Sequence, residues 1–296
     1  MPIRPARLLV LRGGAIGDFI VTLPVLQALR TRWPDAHVEL IGYPHVARLA
    51  LAAGLIDQLR SLDEARMARF FSPSMVPTDE DQQYFSSFDV VISYLHDPHH
   101  VVHDNLKRCG VAVLLATSPL IESRHAVDQL LEPLASLAIY DADPHPRLDP
   151  PPDAGPAVVA IHPGSGSARK NWPVECFVEL ARRIAIMHTV VFVSADAETE
   201  LIPTINLVTD GYTRWHNVPL VELASRLARC RLFIGNDSGI THLAAAVGCP
   251  TIALFGPSST DCWSPRGRRV AILSAPQSDM AALTIDAVWR TVSSWL

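Results

Sequence analysis

The sequence predicts an α/β protein of two doubly wound domains, each built on a parallel β-sheet. Short apolar runs of strand length alternate with helical patterns along the chain, which is typical of parallel α/β architecture. The 296 residues suit two domains of about 150 residues each. Prolines crowd between residues 141 and 156, where neither a helix nor a central strand can form. We therefore predict domains at residues 1–150 and 151–296, joined by a semi-rigid linker.

The first half contains four predicted strands, at residues 8–11, 37–42, 89–93 and 110–115. A helical pattern follows the first strand over residues 17–32, and Pro24 is expected to kink or restart it. Residues 60–88 mix aromatic residues with prolines and an acidic run. We predict a long loop with one short helix there, which is either a binding element or a surface excursion.

The second half repeats this pattern, with predicted strands at residues 157–161, 189–194, 232–235 and 251–255. Residues 279–296 have the apolar spacing of an amphipathic helix. This last helix is a candidate to pack back on the N-terminal domain. Two such halves are expected to face a cleft, where ligands reach the carboxyl ends of both sets of strands.

The composition excludes several classes of protein. The formal net charge of −5, from 25 basic and 30 acidic residues, argues against a nucleic-acid partner. The five cysteines are scattered without a C-x-x-C pair, as expected of free thiols in a reducing compartment. The first apolar run is too short for a secretory signal, and no stretch reaches the roughly 18 apolar residues of a membrane span. We expect a cytoplasmic protein.

The first polar loop, residues 12–18, follows the first strand and has the sequence Arg-Gly-Gly-Ala-Ile-Gly-Asp. Gly14 and Gly17 allow a tight turn and the close approach of a ligand to the backbone. The loop opens onto a helix start, whose free amides attract anions. Its glycine spacing is not G-x-G-x-x-G, so the loop does not favour a nicotinamide dinucleotide. Spacing alone indicates a helix cap for Asp18.

A second polar loop, residues 162–173, follows the first strand of the second half. It carries His162, Gly164, Ser165 and Lys170. Small residues beside two adjacent cations at the end of a strand are suited to cradle a diphosphate. The glycine and lysine spacing is not that of a P-loop. The alternative is a solvated turn with a surface lysine.

A third polar loop, residues 235–242, includes Asp237, Ser238, Gly239, Thr241 and His242. Here a strand ends in polar residues and glycines where helix amides become free. Asp237 and Thr241 are alternatively helix caps alone. Since such loops recur at the same kind of position, a ligand site is favoured over coincidence.

Four stretches resemble the glycosyltransferase 9 (heptosyltransferase) family in order along the chain: residues 14–24, 162–173, 236–242 and 254–257. The resemblance spans nearly the whole chain. It implies a GT-B fold, in which two Rossmann-like domains face a cleft, and an inverting glycosyltransferase. The C-terminal domain would bind a nucleotide-diphosphate sugar, often ADP-heptose. The N-terminal domain would bind a saccharide or lipopolysaccharide-core acceptor.

The resemblance also implies roles for individual residues. Asp18 matches the family's general base, which takes the proton from an acceptor hydroxyl. Lys170 matches the lysine that offsets charge on the departing diphosphate. Asp196 lies where the family carries a glutamate on the nucleotide ribose, with Glu198 as a rival. The other predicted donor-binding residues are Gly14, Gly17, His162, Gly164, Ser165, Asp237, Ser238, Gly239, Thr241 and His242.

No metal or cofactor is predicted besides the nucleotide sugar itself. Residues 141–143 spell the metal-binding D-x-D pattern, but they lie in the proline-rich linker and are expected to be solvated. Four histidines cluster at positions 96, 99, 100 and 103, and an Asp-Pro pair interrupts the helix that would align them. Because zinc sites show cleaner spacing, we expect these histidines to line the acceptor side of the cleft or to be exposed.

Two alternatives to a glycosyltransferase are carried forward. One is a non-catalytic nucleotide-sugar-binding protein, against which the presence of Asp18 argues. The other is a GT-B-like epimerase or hydrolase that acts on the nucleotide sugar alone. Because acceptors in the family are lipid-anchored, contact with the cytoplasmic face of the inner membrane is compatible with the main prediction.

Overall fold

The computed structural model describes residues 5–121, 123–151, 154–195 and 211–296. The chain forms two compact domains, Met1–Pro144 and His145–Leu296. Each domain has its own parallel sheet and its own hydrophobic core. The change from one domain to the other falls within the proline-rich stretch.

The first domain has a five-stranded parallel sheet with the order β3-β2-β1-β4-β5. Its strands are β1 (Arg7–Arg12), β2 (His37–Gly42), β3 (Gln58–Ser61), β4 (Val90–Tyr94) and β5 (Val113–Ala116). Its described helices are α1 (Ile16–Ile20), α2 (Leu23–Arg32), α3 (Pro44–Ala52), α4 (Ala65–Phe70), α5 (Asp79–Phe85), α6 (Val101–Arg108) and α7 (Ala126–Leu131). A 3₁₀ turn, Glu132–Leu137, continues α7.

The central strand β1 explains why this half folds as it does. Its residues Leu8–Leu11 are completely buried, because a central parallel strand is covered on both faces. The helical pattern behind it divides into α1 and α2. Pro24 lies in the first turn of α2, where a proline sacrifices no helical hydrogen bond, so it restarts the helix.

The structure of residues 60–88 differs from the predicted long loop with one short helix. Two helices, α4 and α5, lie in this segment, and Phe70, Phe85 and Phe88 are buried in the core of the first domain. The rings of Phe70 and Phe85 are 4.7 Å apart. The prolines between α4 and α5 keep each helix short. A helix this short does not show a recognisable periodic spacing of apolar residues in the sequence. These aromatic residues therefore hold the core together.

The second domain has a six-stranded parallel sheet with the order β11-β10-β9-β6-β7-β8. Its strands are β6 (Val159–His162), β7 (Val190–Ser194), β8 (Thr213–His216), β9 (Leu232–Asn236), β10 (Thr251–Phe255) and β11 (Val270–Ser274). Its described helices are α8 (Val174–Ala185), α9 (Leu220–Ala228), α10 (Gly239–Ala246), α11 (Thr260–Trp263) and α12 (Ile285–Trp295).

The last helix, α12, belongs to the core of the second domain. Val288 and Val292 are fully buried there, in the same cluster as Phe177 of α8. Just before α12, the backbone oxygen of Leu283 accepts a hydrogen bond of 2.8 Å from the indole nitrogen of Trp172. The buried face of this helix thus packs against α8. The packing of this helix on the first domain stays a prediction.

Both sheets reverse their strand order beside the first strand of the domain. β1 pairs with β2 on one side and β4 on the other, and β6 pairs with β7 and β9 in the same way. In doubly wound sheets this reversal opens a crevice at the carboxyl ends of the strands, where ligands bind. None of the described helices is long and apolar enough to cross a membrane.

Candidate functional site

Lys170 and Asp237 form an ion pair at the carboxyl edge of the second sheet. Lys170 Nζ lies 2.8 Å from Asp237 Oδ2. Lys170 is in the loop after β6 and Asp237 directly follows β9, so the pairing of these strands brings the two residues together. The Lys170 side chain is 36% exposed and that of Asp237 only 7%. Since an ammonium has three N–H donors, the aspartate fixes the cation and leaves it open to an anionic ligand.

Asn236, the last residue of β9, ties the loop after β6 to the strand beside it. Its side chain is completely buried. Its Nδ2 donates to the backbone oxygen of Pro163 at 2.7 Å, and its Oδ1 accepts from the backbone nitrogen of Trp172 at 3.0 Å. The loop is therefore held near both ends, which fixes the backbone on either side of Lys170.

The start of α10 is organised by Ser238. Ser238 Oγ accepts the backbone N–H of Thr241 at 3.3 Å and lies 3.3 Å from His162 Nδ1. The hydroxyl of Thr241 donates to the backbone oxygen of Asn236. Ser238 is thus the helix cap, whereas the sequence analysis considered Asp237 and Thr241 as candidate caps. Asp237 is left to hold Lys170.

Asp18 lies in the first turn of α1, at the carboxyl edge of the first sheet. Its Oδ2 accepts the backbone N–H of Ala15 at 2.9 Å, so the carboxylate does cap the helix start. Its Oδ1 accepts no hydrogen bond from the described residues and lies 3.7 Å from Arg12 Nη2. The Asp18 side chain is 33% exposed. One oxygen is used by the fold, and the other is open to a ligand hydroxyl.

Arg12, the last residue of β1, supports Asp18 from inside the domain. Its side chain is 3% exposed. Its Nη2 and Nε donate to the backbone oxygen of Asp18 at 2.8 and 3.3 Å, and Thr22 Oγ1 donates to the same oxygen at 2.8 Å. Burial lowers the pKa of Arg12, while the charge of Asp18 acts in the opposite direction. The guanidinium thus positions Asp18 through its backbone and faces its carboxylate.

Gly14 passes directly over Asp18. Its φ is +99°, a backbone conformation that side chains disfavour. A Cβ atom at this position would lie 2.8 Å from both Cβ and Oδ2 of Asp18. Only glycine lets the loop close over the carboxylate in this way.

The structure brings the predicted site residues together in two groups, one in each domain. Gly14, Gly17 and Asp18 lie in the loop after β1 and in α1. The second group lies at the end of β6, in the loops after β6 and β9, and in the first turn of α10: His162, Gly164, Ser165, Lys170, Asp237, Ser238, Gly239, Thr241 and His242. Asp196 and its rival Glu198 lie outside the described residues.

Sequence reasoning missed Arg12 and Asn236 as site residues. Both are polar residues that end an apolar strand run, directly before a glycine-rich or acidic loop. That position was a usable signal, because a polar side chain at the buried end of a central strand needs partners. Both residues find these partners in the loops that carry Asp18 and Lys170.

Among the residues that the structure describes, no group of three or more His, Cys, Asp or Glu side chains is arranged to hold a metal ion. Of the clustered histidines, those at positions 96, 100 and 103 line a cavity of the first domain.

A family model described as "Glycosyltransferase family 9 (heptosyltransferase)" matches residues 123–289. Lipopolysaccharide heptosyltransferase 2 of Escherichia coli (strain K12) is 31% identical over 111 residues, which cover 35% of this chain and 32% of that protein. Lipopolysaccharide heptosyltransferase 1 of the same strain is 22% identical over 319 residues, covering 97% and 99%. The chain thus matches the first of these relatives over about a third of its length.

The fold is shared with solved structures, of which two are described here in turn. The glycosyl transferase family 9 structure from Veillonella parvula DSM 2008 has a TM-score of 0.81 at 18% identity, covering 100% of this chain and 98% of that one. The structure titled "E. coli heptosyltransferase WaaC with ADP" has a TM-score of 0.74 at 20% identity, covering 98% and 100%. These likenesses confirm the predicted GT-B class of two parallel-sheet α/β domains.

Proposed function

The chain belongs to glycosyltransferase family 9, and from that premise we propose that it transfers a sugar from a nucleotide-diphosphate donor to a saccharide acceptor with inversion at the anomeric carbon. The names of the relatives favour heptose as the sugar and the lipopolysaccharide core as the acceptor. ADP is favoured as the nucleotide because the E. coli neighbour was solved with it. With a glycolipid acceptor, the protein would work in the cytoplasm, at the inner face of the membrane. No cofactor or metal enters the proposal.

The ion pair of Lys170 with Asp237 is the observation that carries this proposal. Its ammonium is one-third exposed and lies beside the strand-order reversal between β6 and β9, where doubly wound sheets bind nucleotides. When the bond between sugar and diphosphate breaks, negative charge grows on the diphosphate. A cation already held in place stabilises that charge without reorganisation. The proposed role of Lys170 is therefore to stabilise the leaving group.

Asp18 is the proposed general base. Its Oδ1 would accept the proton of the acceptor hydroxyl as that oxygen attacks the anomeric carbon. Attack from the face opposite the diphosphate inverts the configuration of that carbon. Arg12 faces the carboxylate from the buried side and holds the backbone of Asp18, so the base is fixed before the acceptor arrives.

Calorimetric titration with ADP, UDP, GDP and dTDP in the presence of EDTA tests the donor site. We expect selective binding of ADP, weakened about tenfold or more in Lys170→Ala because a charge-assisted contact to phosphate is lost. Arg182→Ala is the control, since Arg182 is an exposed cation of the same domain that lies on α8, and it should bind ADP like the wild type. If the folded protein binds none of the four nucleotides, or if both variants behave alike, the donor site is assigned wrongly.

Product analysis with ADP-heptose tests the reaction. We expect transfer to a lipopolysaccharide-core acceptor, an inverted anomeric configuration by NMR, and a loss of kcat of about 100-fold or more in Asp18→Asn. ADP affinity should not change in that variant. Free heptose without acceptor would instead indicate a hydrolase, and a changed sugar on the nucleotide an epimerase. ADP binding with no turnover of any kind would indicate a binding protein.

A further inference from the structure

A cavity of about 480 Å³ in the second domain is not used by the proposed chemistry. Its lining comes from three segments of the chain: residues 145–149, residues 245–248 and residues 267–268. The first segment belongs to the linker, the second lies at the C-terminal end of α10, and the third precedes β11. The first residues of β10 and β11, Thr251 and Val270, pair in parallel. The cavity therefore lies at the amino edge of the sheet, whereas Lys170 and Asp237 lie at its carboxyl edge.

The walls of this cavity are attached to α10. The backbone N–H of Leu148 donates to the backbone oxygen of Ala246 at 2.9 Å, and the Leu148 side chain is buried, so the linker is held against the helix. The loop before β11 packs closely on the same helix end. A Cβ atom at Gly267 would lie 3.0 Å from the backbone oxygen of Ala245. The structure thus forms the cavity without a ligand.

Each of the last four carbonyls of α10 accepts a backbone hydrogen bond. These carbonyls, of residues 243–246, have no partner within the helix. The N–H groups that they accept belong to Val247, Cys249, Gly248 and Leu148. The end of a helix attracts cations through such carbonyls when they lack partners. Because they are satisfied here, the side chains of the lining decide which ligand charge the cavity favours.

The charged side chains of the lining carry a surplus of positive charge. Arg147 comes from the linker and Arg268 from the loop before β11, and both are exposed. Among the described residues, the Arg268 side chain forms no hydrogen bond or ion pair. His145 adds an imidazole, and Asp149 is the single carboxylate that the described residues contribute to the lining. Two guanidiniums against one carboxylate therefore leave the cavity cationic.

Two guanidiniums that share a cavity suit a phosphate group. Like charges repel each other, and an anion between them replaces this repulsion by attraction. A guanidinium is always charged and presents its N–H donors in a planar fork that fits phosphate oxygens in pairs. The cavity volume falls within the roughly 300–1,000 Å³ of small-molecule sites. There is room for more than one phosphate, or for a phosphate with the molecule that carries it.

We propose that this cavity binds a small phosphate-bearing molecule, a phosphate ester or a diphosphate, through Arg147 and Arg268. The inference goes beyond the proposed function and does not depend on it, because it uses neither Asp18 nor Lys170. A lipid headgroup shares the phosphate chemistry. A free molecule is the proposed source, because three chain segments wall the cavity. A nucleic acid is disfavoured by the net charge of −5.

Backbone NMR of the ¹⁵N-labelled full-length protein locates the site. Pyrophosphate is the probe, and succinate, a dianion without phosphate, is the control. We expect the amide signals of Gly248 and Gly267, which line the cavity, to shift and saturate with pyrophosphate. The signal of Gly239, at the start of α10, reports the donor loops separately. Vesicles of phosphatidylglycerol, which carry the phosphate on a membrane, should not bind the protein through this cavity.

Calorimetry on variants makes the test quantitative. It is done in the Lys170→Ala background, so that the proposed phosphate contact of the donor loops is absent. The double variant R147Q/R268Q should bind pyrophosphate about tenfold more weakly or worse, since two charge-assisted contacts are lost. Arg231→Gln is the matched control, because Arg231 is an exposed arginine before β9 at the same edge and outside the lining. It should bind as tightly as its parent.

A further variant keeps the test valid if R147Q/R268Q does not fold. Arg268→Lys retains the charge but loses the fork, so its affinity for pyrophosphate should lie between those of the parent and Arg268→Gln. Urea unfolding confirms that the compared variants are folded.

Several results would overturn the inference. They are unmoved signals of Gly248 and Gly267, equal shifts of these signals with succinate, binding of the vesicles but not of pyrophosphate, or equal affinity of the double variant and the Arg231 control. Shifts confined to Gly239 would place the probe at the donor loops and remove the cavity assignment. Cavity shifts in a protein that does not bind ADP would remove the proposed donor site and leave the cavity assigned.

Discussion

At the scale of single residues, the two charged pairs of the candidate sites are built in the same way. Asp18 is one-third exposed and its partner Arg12 is buried, while Lys170 is one-third exposed and its partner Asp237 is buried. In each pair, the group proposed to meet the substrate reaches solvent, and a buried counter-charge holds it in place. The buried partners therefore fix geometry, and removal of Arg12 should affect turnover before it affects nucleotide binding in the second domain.

Replacing Arg12 tests this arrangement in the first domain. Arg12→Met removes the two donors to the backbone of Asp18 and the charge facing its carboxylate, so we expect kcat to fall about 10- to 100-fold. Arg12→Lys keeps the charge but loses the two-pronged hydrogen bonding, and it should give an intermediate value. Steady-state kinetics with ADP titration as a control measures both effects. Wild-type kcat in Arg12→Met would show that the guanidinium has no part in catalysis.

Gly14→Ala tests the close approach of the loop to Asp18. Gly54→Ala is its matched control, because Gly54 also has a positive φ, +67°, but a Cβ there meets nothing within 4 Å. The backbone strain alone should cost about 1 to 2 kcal/mol of unfolding free energy in either variant. Only Gly14→Ala should also lower kcat, since its Cβ must displace Asp18. Urea unfolding and kinetics measure the two effects, and equal activity of the variants would contradict the prediction.

The residues of the sites were predictable in kind but not in arrangement. Polar loops at strand ends indicated Asp18, Lys170 and Asp237, because ligands of doubly wound sheets bind there. One carboxylate caps a helix and another holds a cation, and these roles depend on pairing between strands that are far apart in the sequence. Asn236 illustrates this, because its partners Pro163 and Trp172 are brought to it only by the pairing of β9 with β6.

At the scale of elements, the interior strands were predictable, and of the four edge strands only β5 was predicted, by the run at 110–115. The predicted runs at 37–42 and 251–255 coincide with β2 and β10, since buried interior strands are continuously apolar. β3 and β8 were missed because their sequences, such as Thr-Arg-Trp-His in β8, lack an apolar run. β11 was also missed, although its sequence is apolar. The helices α4 and α5 were likewise too short to show a period.

Asp81 of α5 carries a prediction about pH. Burial alone would raise its pKa, but the backbone and hydroxyl of Thr78 and the guanidinium of Arg69 bond to the carboxylate and lower the pKa below its ordinary value. Because the pKa of Asp81 is lower in the folded state, its carboxylate stabilises the fold at pH values above the unfolded-state pKa of about 3.9. That stabilisation is lost as the pH falls through the folded-state pKa.

Asp81→Asn should therefore destabilise the protein by about 1 to 3 kcal/mol at pH 7, because the buried carboxylate loses its charge-assisted hydrogen bonds with Arg66 and Arg69. The difference from the wild type should shrink as the pH falls from 5 towards 2. Asp79→Asn, at an exposed position of the same helix, is the control and should cost little. Urea unfolding at several pH values measures this, and a constant difference down to the lowest pH would contradict it.

At the scale of the whole molecule, each domain has a complete core of its own. The core of the second domain collects residues from α8, α12 and the central strands of its sheet. The linker also contributes: Leu148 is buried, and its N–H donates to the backbone oxygen of Ala246 at 2.9 Å. The sequence indicated two halves from its proline-rich stretch, but strand order, which sets the two crevices, depends on pairings that periodicity does not encode.

The second domain should therefore fold and bind the donor nucleotide without the first. Residues 145–296 produced alone are expected to unfold cooperatively and to bind ADP within about tenfold of the affinity of the full chain. They should show no transfer activity, because Asp18 is absent. Residues 1–144 are the matched control and should not bind ADP. A fragment 145–296 that is folded but does not bind ADP would show that the first domain supplies essential donor contacts.

Counted from the first strand of each domain, both sheets have the order third, second, first, fourth, fifth, and the second sheet adds a sixth strand at the end. In the proposed function, each half contributes one group from the loop after its first strand, Asp18 after β1 and Lys170 after β6, and each group is held by a residue of its own domain. For a lineage of such proteins this is modular inheritance: loops on one half can diverge without disturbing the packing of the other. Under the proposed function, a descendant can acquire a new acceptor while the loops that bind the donor stay unchanged.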